Sequence, residues 1–219
     1  TESGVDLGGR RIIKKKNRKT FQMINAPWLE SAVQRFEGRL ARGQTPQALL
    51  IHGPAGIGRR HFALTLAARL LDSDWRPSID VPAAQLDGVP HPDYWNVGVD
   101  DESRVIKIDQ IRELNQALGL TSHRRGWKVG LIWPADALNQ NAANTLLKTL
   151  EEPASGTTLL LVADSPSRLP ATIVSRCERI RLSLPTRPVA LEWLVERHRD
   201  RAACERALRA HQRQHELGK

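Results

Sequence analysis

Two stretches of this sequence hold side chains whose type and spacing could act on phosphate. The first is Gly53-Pro54-Ala55-Gly56-Ile57-Gly58-Arg59-Arg60. Its glycines keep the spacing of the phosphate loop G-x-x-x-x-G-K-[ST], in which backbone amides cradle phosphate, a lysine reaches the terminal phosphates and a hydroxyl holds magnesium. Arg59 stands at the lysine position and Arg60 at the hydroxyl position. A guanidinium can pair with phosphate oxygens through its planar fork, but it cannot ligate magnesium. The amides of Gly56 to Arg59, at a helix N-terminus, still attract an anion. The expectation is a degenerate loop of Gly53, Gly56, Gly58 and Arg59 that binds nucleotide weakly or not at all.

The second stretch is Ser175-Arg176-Cys177, which closes the run SPSRLPATIVSRC. Arg176 has no acidic neighbour in the sequence before Glu178. The expectation is therefore a guanidinium free to reach an anion outside its own domain, on a short helix fixed by Ser175 and Cys177. An internal salt bridge is the competing reading for Arg176. For Cys177 a small buried side chain is the better one.

The elements that must position these groups are legible as alternating strands and helices. Trp28, Ala32, Val33, Phe36 and Leu40 form a helical stripe between Pro27 and Gly43. Ala48 to His52 is a short apolar strand leading into the glycine-rich loop and the helix after it. Tyr94 to Val99 can form a strand, and Ile108, Ile111, Leu114 and Leu118 point inward from the next helix, with Asp109 suiting its N-terminal dipole. Trp127 to Trp133 is another strand, and Asn139 is a plausible cap for a helix reaching Leu150. Leu146, Leu147 and Leu150 keep helical spacing up to the stop at Pro153. Lys148, Glu151 and Glu152 read equally as a solvated helix end or as interface residues. Thr158 to Ala163 carries no charge, as a strand covered on both faces would. Glu178 to Leu182 closes the domain as a strand, and Pro185 and Pro188 mark a hinge.

LLKTLEEP and LPATIVSRC, in this order, resemble the clamp-loader branch of the AAA+ ATPases, and the resemblance covers about Pro27 to Leu194. It implies an α/β fold, a RecA-like parallel sheet flanked by helices, spanning residues 25–185 and followed by the start of a small helical lid. It also implies that Arg176 is an arginine finger acting in trans on ATP held by a neighbouring gamma- or tau-type subunit. ATP-hydrolysing relatives end the third strand in Asp-Glu, whereas Trp133 and Pro134 stand here and Asp136 lies two residues beyond. Both halves of the magnesium chemistry are thus missing. Relatives usually carry four zinc-binding cysteines before a His-Pro-Asp turn. His91-Pro92-Asp93 is present, but Trp75 to Pro90 holds no cysteine, so neither zinc nor any other metal is expected. The role so implied is a non-hydrolysing, stator-like loader subunit, with gamma/tau-type and delta-type partners and with the sliding clamp and primed DNA engaged indirectly.

The 219 residues hold no run of 18 apolar side chains and only two cysteines, Cys177 and Cys204, which points away from membranes and toward a reducing cytoplasm. The net charge of +9 is unevenly placed. Residues 1–19 hold seven Lys/Arg against two acidic residues, and residues 197–219 hold seven against three. The body between them balances at 19 of each sign, so it offers no global electrostatic case for DNA. Residues 1–24 read as a basic, disordered arm. Residues 186–219 read as a truncated lid remnant and basic tail, without the helical collar that relatives carry. Two alternatives stand beside the loader reading. One is an autonomous ATPase in which Arg59 and Asp136 replace the missing groups; the other is a DNA-binding module built on the two basic ends.

Overall fold

The computed structural model describes residues 26–71, 91–99, 103–122 and 126–217. The basic arm and the Pro/Asp-rich excursion read from sequence at 1–24 and 75–90 lie outside them. The described elements are α1 (Pro27–Leu40), β1 (Ala48–His52), α2 (Arg59–Leu71), β2 (Tyr94–Val97), α3 (Ile108–Gly119), β3 (Lys128–Ile132), α4 (Gln140–Glu151), β4 (Thr157–Ala163), α5 (Ala171–Val174), β5 (Glu178–Arg181), α6 (Arg187–His198) and α7 (Arg201–Leu217).

The five strands form one parallel sheet in the order β2-β3-β4-β1-β5. The β4 strand lies at its centre, paired with β1 on one side and β3 on the other. A parallel sheet needs crossovers that cover both faces, so its central strand meets no water on either side. All seven residues of β4 are buried. Alternation along the strands then divides the core into two. Leu49, Ile51, Leu160 and Val162 face α1 and α2. Leu50, Leu159 and Leu161 face α3, α4 and α5. Each such leucine withdrawn from water stabilises the fold by roughly 1.5–3 kcal/mol.

Local choices agree with this plan, with small shifts. In α1 the fully buried residues are Leu29, Ala32 and Phe36, while Trp28 is half-buried and spends its indole N–H on the carbonyl of Ile57 at 2.9 Å. In α3, Ile111, Leu114 and Leu118 are buried as their spacing predicts. Ile108 is only partly covered, and Ile106, just before the helix, takes the deeper place through a bridge to Leu138. Asn139 caps α4 by accepting the amide of Ala142 at 2.8 Å. The His91-Pro92-Asp93 turn sets the start of β2, with the Asp93 amide donating to His91 Nδ1 at 3.1 Å.

After the sheet, α6 returns to the body through Trp193, whose ring meets Trp28 edge-on at 5.2 Å. The tail read from sequence as poor in large apolar residues forms a long helix, α7, whose Cys204 is buried. Within it Glu205 pairs with Arg201 and Arg209 at i,i+4 spacing, which supports the helix.

Candidate functional site

The phosphate loop leaves the C-terminal end of β1. Gly53 has φ 154°, and a Cβ there would meet the Leu182 carbonyl at 2.4 Å, so the close approach of the chain leaving β5 requires glycine. Gly56 and Gly58 hold φ 78° and 94°, the positive values that a loop turning its amides inward needs.

Arg59 does not point out of this loop. It is only 9% exposed and spans the loop like a strut. One terminal nitrogen donates to the carbonyls of Gly53 and Ala163, both at 2.9 Å, and the other meets Asp164 Oδ1 at 2.6 Å. Asp164 is oriented in turn, because its amide donates to Asp136 Oδ1 at 2.9 Å. Arg59 and Asp136, the two groups an autonomous ATPase would need, are thus joined through Asp164. Beside them Arg60 lies over the Trp133 ring at 4.6 Å. The side chains at the hydroxyl position and at the third-strand end therefore pack on each other.

Arg176 sits at the other end of the sheet. The β1–β5 register pairs Leu49 with Glu178, so Arg176 precedes the entrance to β5 while Gly53 leaves the exit of β1. About six residues of strand rise separate the two levels, roughly 20 Å. The chain's own loop and its own Arg176 do not share a ligand.

Arg176 is also not without an internal partner, contrary to the expectation from its sequence neighbours. Its Nη2 lies 2.6 Å from Glu151 Oε1, at the end of α4, and its Nη1 donates to the Thr172 carbonyl at 3.0 Å. The reason is topological: α4 ends at the same edge of the sheet where α5 turns into β5. The pair remains open to water, with 36% of the arginine side chain and 50% of the glutamate side chain exposed. Ser175 Oγ donates to the Thr172 carbonyl at 3.1 Å, so Thr172 collects both neighbours and shapes the turn. Cys177 is buried in the second core, where loss of water pushes its thiol up to about 12. It anchors the turn and offers no thiolate at neutral pH. Sequence reading missed Glu151 and Asp164 as partners; LLKTLEEP marked the first, but no local spacing marked the second.

Among the described residues no group of three or more His, Cys, Asp or Glu side chains is arranged to hold a metal ion, and no helix is long and apolar enough to cross a membrane.

Together the sheet order and the loop define a P-loop domain of the AAA+ type, in which Arg59 and Arg60 stand at the lysine and hydroxyl positions of the loop pattern and Trp133 and Pro134 follow β3. The same fold occurs in a DNA polymerase III gamma subunit-related protein of Thermotoga maritima, at a TM-score of 0.54 and 24% identity over 73% of this chain and 47% of that one. It occurs too in a RuvB mutant from that organism, at 0.54 and 17% over 83% and 55%. The family described as DNA polymerase III, delta subunit, matches residues 28–186, and the chain belongs to it. Its relatives include the DNA polymerase III delta-prime subunits of Pseudomonas aeruginosa, 41% identical over 77% of this chain and 52% of that protein, and of Escherichia coli, 32% identical over the same shares. The Bacillus subtilis tau subunit is 28% identical over 68% of this chain and 27% of its own length. The chain spans about half the length of the delta-prime relatives it matches.

Proposed function

We propose that this chain acts as a delta-prime-type clamp-loader subunit, a non-hydrolysing stator that presents Arg176 to ATP held by a neighbouring gamma- or tau-type subunit. The observation that carries this reading is the placement of Arg176 at the sheet end opposite its own loop, so that any phosphate it serves comes from another chain. A guanidinium in that role stabilises charge on the transferring phosphoryl group and is worth roughly 10³–10⁵ in rate where fully engaged. The Glu151 pair holds Arg176 against the turn that follows α5 until a phosphate replaces the carboxylate. Surface pairs of this kind are worth about 0–1 kcal/mol, which a triphosphate in a water-poor interface exceeds.

Delta-type subunits complete the assembly in this reading, which acts on the sliding clamp and primed DNA in the bacterial cytoplasm. ATP belongs to the neighbour, because Arg59 is spent inside its own loop. The delta-prime and tau names of the relatives support these partners. The test is magnesium-dependent ATP turnover by the chain alone and in a mixture with gamma- and delta-type subunits. No turnover alone, with stimulated turnover and clamp loading in the mixture, is expected. Turnover by the isolated chain, lost on Arg59→Ala, would overturn the reading in favour of an autonomous ATPase.

A further inference from the structure

The sheet ends at β5 in an open edge with unanswered charge of one sign. β5 pairs with β1 on one side, and among the described residues no strand pairs with its other side. The Leu182 N–H donates to the His52 carbonyl at 2.8 Å. Residues of a parallel strand bond to its two sides in turn, so Ile180 also bonds toward β1, while Arg179 and Arg181 turn their N–H and C=O groups to the open edge. The side chains of these two arginines share a sheet face with Leu50 and His52, the face of the α3–α5 core. Both are exposed, and among the described residues neither has an ion-pair partner. Their field reaches His52, which is held below the usual histidine value by burial first and then by Arg181 and Arg179. The opposite face of the same edge is apolar at its base. There β5 and α1 flank a groove of about 230 Å³ that reaches the buried Ala32 and Phe36, with Arg35 and Arg39 beside them. Glu178, the one acidic residue of β5, lies on this α1 face with Leu49 and is tied to Arg39, so it does not answer Arg179 or Arg181.

Charged side chains on an edge strand deter indiscriminate pairing. Two arginines do so selectively: they repel a second copy of this edge, which carries the same charges, and they attract a strand that carries carboxylates. We infer that the open edge of β5 takes up an extended acidic segment of a partner protein as a sixth strand, in which acidic side chains alternate with small apolar ones. The period of two along a strand sorts the segment onto the two faces. Its carboxylates lie beside Arg179 and Arg181, and its apolar side chains lie over Ala32 and Phe36 in the groove against α1. Arg179 and Arg181 each offer one backbone donor and one backbone acceptor to the ladder, while the charges select the partner. The edge uses neither Arg176 nor Glu151, so the inference stands apart from the clamp-loader reading.

The test is binding of a fluorescein-labelled peptide of about eight residues, alternating Glu and Val, to the full chain, followed by anisotropy and by amide hydrogen exchange. Binding below about 1 mM peptide is expected, with slowed exchange at the amides of Arg179 and Arg181. The variant R179A/R181A is expected to keep its circular dichroism spectrum and to bind about tenfold more weakly, since each exposed cross-strand charge pair contributes modestly. The same loss is expected in a chain carrying K14A/K15A/K16A, which removes the basic N-terminal run as a competing site. Two further peptides carry N-methyl groups, one on every Glu and one on every Val. Only one set of N–H groups points at β5, so one methylated peptide loses binding and the other keeps it. No binding, binding that leaves those amides unprotected, or a change below about twofold in R179A/R181A overturns the proposal. Binding by both methylated peptides also overturns it, because no ladder then forms. A dimer of the chain that protects the same amides without peptide overturns it in favour of a second copy. Labelled single-stranded DNA that binds where the peptide does not, and is lost in R179A/R181A, overturns it in favour of nucleic acid.

Discussion

Arg176 and Glu151 meet at 2.6 Å across the corner where α4 ends and α5 turns into β5, which joins the two most distinctive motifs of the sequence in one ion pair. Both side chains are a third or more exposed, so the pair contributes little to stability. Arg176→Ala and Glu151→Gln are each expected to lower unfolding free energy by less than about 1 kcal/mol in urea titrations. A loss of several kcal/mol from Arg176→Ala would mark the arginine as a structural strut.

Arg59 presents the opposite case. It is buried, and its removal leaves the carbonyls of Gly53 and Ala163 without their donor and Asp164 without its cation. Arg59→Ala is expected to cost about 2–3 kcal/mol in the same titration, and Arg59→Lys less, because a point charge restores only part of the fork. Millimolar magnesium-ATP is expected to leave the unfolding midpoint of the wild-type chain unchanged. A midpoint that rises with ATP, and does so only with Arg59 present, would show the guanidinium leaving Asp164 for phosphate.

Cys177 gives a pH dependence of known sign. The ordinary thiol value is 9.0 and burial raises it to about 12, so above pH 9 the unfolded chain releases a proton that the folded chain keeps. Stability from this group is complete below pH 9 and declines between pH 9 and 12, by at most about 1.4 kcal/mol per pH unit. In a Cys204→Ser background, a thiol reagent at pH 8 is expected to label Cys177 only at the rate of unfolding. Rapid labelling of the native chain would contradict the burial.

His52 tests the field at the sheet edge. Its value is lowered by burial, then by Arg181, Arg179 and Arg59 in that order. The unfolded chain therefore takes up this proton first as pH falls below 6.5, and the contribution to stability is lost in acid. Imidazole resonances followed by NMR are expected to titrate below 6.5 in the wild-type chain and closer to it in Arg181→Ala. An unchanged midpoint in the variant would remove Arg181 from the account.

What could be read from sequence follows from what is local. The β1 strand has the bounds its apolar run predicts, and β4 begins one residue earlier than its uncharged run, because short runs in a parallel sheet are buried on both faces. The cap at Asn139 and the loop glycines were visible for the same reason, since each is a demand of its own neighbours on backbone geometry. Arg59 meets Ala163 from 104 residues away, and nothing near Gly58 announces that contact. The Glu151 partner of Arg176 was hidden likewise, because only the return of α4 to the entrance edge of the sheet brings it close. Ile106 replaced Ile108 in the core because the chain enters α3 through a bridge that helical periodicity does not describe.

The central claim is that Arg176 acts on a neighbour's ATP, and the direct measurement is clamp loading with ATP hydrolysis in a complex reconstituted from this chain with gamma- and delta-type subunits. Arg176→Ala, Arg176→Lys and Glu151→Gln are compared with the unaltered chain at equal folded concentration and equal co-elution. Arg176→Ala and Arg176→Lys are expected to reduce loading by at least tenfold, with total hydrolysis falling only in part because the other ATP sites keep their own arginines, while Glu151→Gln retains loading. Loading by Arg176→Ala at the unaltered rate, with its circular dichroism spectrum and co-elution unchanged, would contradict the account.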